Sequence, residues 1–110
     1  MKKTKTERLK KAGWNVGTAK EFLGLTDEEV ALIEMKLALA RSLRERRLAH
    51  DLTQDDVAKK LGSSQSRVAK MEAADATVSM ELLVRSLLLL GTSRQEVGRI
   101  IGRKTAAPAA

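Results

Sequence analysis

The chain has 110 residues, no cysteine, one histidine and a formal net charge of +7. These counts exclude a disulfide framework, a thiolate zinc site, a cysteine nucleophile and a His-rich metal site, and no apolar stretch, Leu87–Leu90 included, approaches the roughly 20 residues of a membrane span. One domain is expected, its core built from Leu, Val, Ile, Met and Ala because only Trp14 and Phe22 are aromatic, and the positive charge suits nucleic acid or an acidic protein as partner.

In chain order, Met1–Lys11 reads as a basic arm in which Lys2, Lys3, Lys5, Arg8, Lys10 and Lys11 face one acid, Glu7. The arm is basic with no apolar run behind it, so no signal peptide is expected and the expected compartment is the cytoplasm. Gly13 to Gly17 is expected to break any helix. Thr18–Leu23 predicts a short helix stopped by Gly24. Thr26 and Glu29 form a capping-box pattern that opens a long helix from about Asp27 to Ala49, roughly 34 Å in length. Leu39, Leu43 and Arg47 lie four apart and are expected to face the bundle. Upstream, Val30, Ile33, Leu37 and Ala40 mark a second apolar face, with Leu32 and Met35 beside it. Packing of Trp14 and Phe22 is the expected cover for that face; a second copy of the chain or a foreign protein would share the same region.

The run Thr53–Glu72, TQDDVAKKLGSSQSRVAKME, reads as two short helices joined by a tight turn. Thr53 suits an N-cap, and Asp55 and Asp56 sit where the helix dipole favours negative charge. Val57, Ala58 and Leu61 make a narrow apolar face, Gly62 suits a left-handed helix end, and Ser64 caps the second helix. There Val68 and Met71 turn inward, leaving Gln65, Ser66, Arg67, Ala69 and Lys70 outside. Ala73–Val78 reads as a loop. Ser79 caps a helix ending near Leu90 at Gly91, and Thr92 with Gln95 is expected to open a last helix to about Arg103. Lys104–Ala110 contains the only proline and is expected to be disordered. The organisation is all-α, divided as residues 1–26 (basic arm and short helix), 27–103 (helix-turn-helix domain with an extended first helix) and 104–110 (tail).

A second helix with small, amide and basic outer residues suits the DNA major groove. Gln65, Ser66 and Lys70 are the candidates for base edges, since Gln pairs with adenine, Lys donates to guanine and Ser is permissive. Arg67 would read a base or grip phosphate. Gln54 and Ser64 are the phosphate candidates, because helix N-termini point N–H groups at anions. No enzyme, cofactor or metal is expected. The paired acids Asp27-Glu28-Glu29 and Asp55-Asp56 sit at helix starts, Ser63, Ser64 and Ser66 lack a base, and no Gly-rich phosphate loop exists.

Thr53–Glu72 resembles the Cro and phage-repressor superfamily of helix-turn-helix regulators, the xenobiotic-response-element (XRE) type. The matching pieces are Leu52-Thr53-Gln54, Val57-Ala58, Leu61-Gly62, Ser64-Gln65-Ser66, Val68 and Met71-Glu72. Across about Leu39–Ile101 the pattern is similar to that superfamily's five-helix domain, which makes the N-terminal part a helical extension. The wider chain is similar to small antitoxin-like regulators through Gly13-Trp14, Phe22-Leu23-Gly24-Leu25, Ile33-Glu34-Met35, Leu43-Arg44 and Gln65–Glu72. The resemblance implies a homodimer on an inverted-repeat DNA operator, with recognition helices about 34–36 Å apart. Leu87, Leu90, Val97 and Ile101 are the candidate dimer surface, although some of these must be core. It further implies an antitoxin that represses its own operon and binds a RelE-like, RNA-cleaving toxin through the N-terminal segment or first helix. Arg47 and Glu72 match a largely buried structural pair, and Gln54 matches a glutamine that supports Gln65. Two positions depart from the pattern. Ala74 stands where the family usually has glycine in a left-handed turn, and the loop is expected to run differently there. His50 stands at a usually apolar position and is expected to be half-buried. The alternatives are a phage-type repressor without a toxin, and a protein-interaction module that does not read DNA.

Overall fold

Six helices follow one another in the computed structural model, which describes residues 16–103 and the side chains of 20–103. They are α1 (Val16–Leu23), α2 (Asp27–Ala49), α3 (Gln54–Leu61), α4 (Gln65–Glu72), α5 (Met80–Leu89) and α6 (Arg94–Gly102). The basic arm, Trp14 and the tail lie outside the described residues. No strand occurs among the described residues, and the fold is all-α.

Short hydroxyl side chains set where the helices begin. Thr26, Thr53, Ser64, Ser79 and Ser93 cap α2 to α6, each accepting a backbone N–H three residues on. Each such cap stabilises its helix by about 1 kcal/mol. Thr26 and Thr53 complete capping boxes with Glu29 and Asp56. The cap of α6 is therefore Ser93 and not Thr92. The reason lies one turn earlier. Gly91 takes a left-handed φ of 96°, and the Thr92 N–H closes the end of α5 on the Leu87 carbonyl at 3.0 Å. Thr92 is spent on terminating one helix, so the next residue starts the other. Gly17 lies inside α1 instead of breaking it.

The long helix is the spine. Leu39 and Leu43 are fully buried, as are Val57, Val68, Met71, Leu83 and Leu87 around them. α5 and α6 pack on α2 and on each other. That arrangement places Leu87 and Val97 in the core, with Leu90 and Ile101 half-buried against it. Leu87 and Val97 are thus unavailable as surface, and the exposed leucines of α5 are Leu88 and Leu89. Ser86 is buried among them because its hydroxyl donates to the Leu82 carbonyl at 2.8 Å.

Phe22 does not pack over the upstream half of α2: it is 78% exposed. After the left-handed turn at Gly24, Leu25 takes the inner place and is buried. Along α2, Val30, Ile33, Met35 and Leu37 are half-buried, Ala40 is buried and Leu32 is exposed. His50 is exposed as well, because it follows Leu48 and Ala49 where the end of α2 has run past the core.

Candidate nucleic-acid interface

The turn between α3 and α4 follows from two residues. Gly62 adopts φ 66°, and the Ser63 N–H returns to the Ala58 carbonyl at 2.8 Å, ending α3. A left-handed residue is required there, and glycine adopts that backbone without a side-chain clash. Ser64 then starts α4, its Oγ accepting the Arg67 N–H at 3.2 Å and lying 3.3 Å from Ser66 Oγ. Val68 and Met71 are fully buried. Gln65, Ser66, Arg67 and Lys70 are exposed on the opposite side, with Ala69 half-buried between the two faces.

A chain of polar contacts ties this outer face to the spine. Arg47 Nε donates to Glu72 Oε2 at 2.6 Å and Arg47 Nη2 to Glu72 Oε1 at 3.0 Å, a bidentate pair. Arg47 Nη1 also donates to the Leu52 carbonyl at 2.9 Å. The side chains are 11% and 4% exposed, so the pair sits largely out of water. The hydrogen bonds from Arg47 to Glu72 raise the guanidinium pKa above its ordinary value. Gln54 Nε2 donates to the same Glu72 Oε1 at 3.1 Å, and Gln65 Nε2 donates to Gln54 Oε1 at 2.6 Å. An ionised carboxylate only accepts, which orients the Gln54 amide with its oxygen toward Gln65. One N–H of Gln65 is committed to Gln54. Its second N–H and its Oε1 form the donor–acceptor pair that a bidentate adenine contact needs.

The structure thus joins Gln54, Gln65, Arg47 and Glu72 in one network. It joins Ser64 with Ser66 at the start of α4, and leaves the Arg67 and Lys70 side chains on the exposed face. Asp56 closes the other helix start, accepting the Thr53 N–H at 2.8 Å. Those hydrogen bonds hold its carboxyl below the usual carboxylate range.

The exit from α4 keeps the left-handed backbone despite alanine. Ala74 has φ 54° and is buried, the Ala74 N–H reaches the Met71 carbonyl and the Asp75 N–H reaches the Lys70 carbonyl. Asp51, at φ 55°, ends α2 in the same way, with its N–H on Leu48 and the Leu52 N–H on Arg47. Sequence reasoning also passed over Lys36, whose Nζ donates to the Asp75 carbonyl at 2.7 Å. The available signal was helical register: Lys36 precedes Arg47 by eleven residues, about three turns, and so shares its side of α2.

Comparison with known families gives one match. A helix-turn-helix family model matches residues 43–97, half of the chain. No curated protein and no solved structure matches. No helix among the described residues is long and apolar enough to cross a membrane. The matched span runs from the buried Leu43 through Arg47, Gln54, the α3–α4 turn and Glu72 to the buried Val97. With that span, the Gly62 turn and the outward polar face of α4, the chain belongs to the helix-turn-helix family of the Cro/C1 type and is a DNA-binding regulator.

Proposed function

We propose that this regulator binds an inverted-repeat operator as a homodimer, represses its own operon and neutralises a RelE-like toxin. The observation that carries the DNA-reading part is the Arg47–Glu72–Gln54–Gln65 chain, which supports Gln65 at the first turn of α4 from the spine of the fold. Gln65, Ser66 and Lys70 read base edges, and Arg67 reads a base or grips phosphate. The helix starts at Gln54 and Ser64 take phosphate through their N–H groups.

The antitoxin part draws support from what lies outside the matched span. α1 and the upstream half of α2 precede residue 43, and there Phe22 and Leu32 are 78% and 53% exposed. Large apolar side chains exposed this far suit a protein partner. Residues 1–26 then form the arm and short helix, 27–103 the DNA-binding unit and 104–110 a tail, and the toxin is bound at residues 1–38.

The test is binding to DNA from just upstream of the gene against scrambled DNA, across a salt series, with Gln65→Ala and Lys70→Ala alongside. The expected result is an upstream preference that survives moderate salt and is lost in both variants. Equal, steeply salt-dependent binding to both DNAs would reduce the interaction to phosphate attraction and favour the protein-interaction module. The toxin part is tested by coexpression with the product of the neighbouring reading frame and an RNA-cleavage assay. Phe22→Asp with Leu32→Asp should release the partner and restore cleavage while DNA binding persists. A neighbour that does not cleave RNA, or a complex with no contact at residues 1–38, leaves the phage-type repressor.

A further inference from the structure

The loop after α4, Ala73 to Ser79, contains no lysine or arginine. Its one unfavourable backbone feature is Ala74, a non-glycine residue at φ 54°. Such a conformation is unfavourable for an L-residue and persists only where the surroundings over-determine it. Asp75 collects the contacts that do so. Its N–H donates to the Lys70 carbonyl at 3.0 Å, and its Oδ1 accepts from Thr77 N at 2.9 Å and Thr77 Oγ1 at 2.7 Å. Its carbonyl accepts from Val78 N at 3.0 Å and, from outside the loop, from Lys36 Nζ at 2.7 Å. Lys36 is half-buried; burial lowers its pKa from the ordinary value, and the Asp75 carboxylate opposes that shift.

The two cations on this side of α2 converge on the end of α4. Lys36 and Arg47 are about three turns apart, roughly 16 Å, yet their targets, Asp75 and Glu72, are three residues apart in sequence. Arg47 holds the last residue of α4 from one direction. Lys36 holds the exit turn from the other. Without Lys36, α2 keeps its grip on α4 at Glu72, while the exit turn loses its hydrogen bond from α2 and keeps the Thr77 and Val78 contacts and the burial of Met71 and Ala74.

We infer that Lys36 is a positioning residue for DNA recognition. Its ammonium pins the Asp75 carbonyl, the Asp75 N–H pins the Lys70 carbonyl, and Lys70 is thereby set against its base edge. This rests on the reading of Lys70 as a base-contacting residue.

The test uses the full-length protein and a duplex enriched by the wild type from a randomised library. Lys36→Met keeps the apolar stem and removes the ammonium. Its affinity for the enriched duplex should fall about tenfold, the size of one weakened base contact. Affinity for random duplex and the slope of log K against log salt should stay unchanged. Lys36→Arg should restore most of the loss, and in a Lys70→Ala background Lys36→Met should have no further effect. Equal losses on both duplexes, with the slope reduced by about 0.9, would make Lys36 a direct phosphate contact and overturn the inference. So would a lower Tm with unchanged affinity measured well below it, which is the signature of a merely structural role. A wild type that enriches no sequence defeats the DNA-reading proposal and this inference with it; a selective wild type matched by Lys36→Met defeats this inference alone.

Discussion

Removing Glu72 tests whether the polar chain behind the recognition helix is as dry as its geometry indicates. Glu72 is 4% exposed and accepts three hydrogen bonds, two of them from Arg47, itself 11% exposed. Glu72→Leu leaves the guanidinium with the Leu52 carbonyl alone and strands two N–H sites where little water reaches. Breaking one side of a buried ion pair in this way costs about 3–5 kcal/mol, against a total stability of about 5–15 kcal/mol for a domain this size. With a urea m-value of about 1–1.5 kcal/mol/M, the midpoint should fall by at least 2 M. Arg47→Met should cost a similar amount. The double variant removes both charges and should return to within about 1 kcal/mol of wild type, so the two single losses should be far from additive in the cycle. The assay is urea unfolding at pH 7 by circular dichroism, with the m-value checked for constancy. If both single variants lie within 1 kcal/mol of wild type, the pair is solvated and the reasoning fails. The double variant carries a second consequence. Gln54 loses its acceptor, so a fully folded protein should bind the enriched duplex about fivefold more weakly, near 1 kcal/mol.

Three further outcomes are expected. Asp51 and Ala74 share a left-handed backbone, but Asp51 is exposed and Ala74 buried. Asp51→Gly should therefore raise stability by about 0.5–1 kcal/mol, several degrees in Tm. Ala74→Gly should be near neutral, since relief of strain is offset by about 0.8 kcal/mol of lost methyl burial; equal gains from both in thermal melts would remove the methyl's role. Thr92 Oγ1 is buried without a partner, whereas Ser93 Oγ caps α6. Thr92→Val should be neutral or stabilising, and Ser93→Ala should cost about 1 kcal/mol; the reverse order in urea melts would restore Thr92 as the cap. The Asp56 carboxyl, held below its usual range by Thr53, supplies stability above its unfolded pKa that is lost as pH falls through the depressed folded value. The gap in urea midpoint between wild type and Asp56→Asn should thus be widest near pH 7 and close below about pH 4; a gap of equal size at pH 2.5 would contradict this origin.

Helix starts were readable where one hydroxyl residue stood alone before a periodic run. Thr26, Thr53 and Ser79 are such cases, Ser64 follows a Ser63 whose N–H closes the turn at Gly62, and α2 has the bounds its capping signals imply. Thr92 and Ser93 are adjacent hydroxyl residues, each with a plausible partner three residues on, and local pattern does not separate them. The turn that ends α5 does, and that turn depends on Gly91. Leu87 and Val97 repeat with helical period, but periodicity reports that a side chain is buried and not whether its own chain or a second one covers it. α1 is only two turns long, too short to fix which way Phe22 points. In the site, the outward residues of α4 followed from the inward period of Val68 and Met71, while Arg47 and Glu72 were reached through family resemblance. Lys36 left only its helical register with Arg47 as a signal, because its partner is a backbone carbonyl, a group every residue possesses.

The recognition helix has eight residues, too few to persist alone in water, where isolated helices shorter than about 12–15 residues are marginal. Its order must come from Val68 and Met71 in the core, and its aim from contacts with its ends. Those contacts are supplied by other elements: Arg47 and Lys36 from α2, Gln54 from α3. Stability and reading are therefore carried by different residues. Substituting Gln65, Ser66 or Lys70 removes exposed groups and should leave the melt within about 0.5 kcal/mol while abolishing sequence preference. Substituting Val68 by Ala should lower stability by about 2–3 kcal/mol while the folded protein keeps its sequence preference. Between them lie Gln54 and Lys36, which touch the recognition helix or its exit without belonging to either class. For these, a loss of preference in a protein that melts normally identifies aim as a property separable from order.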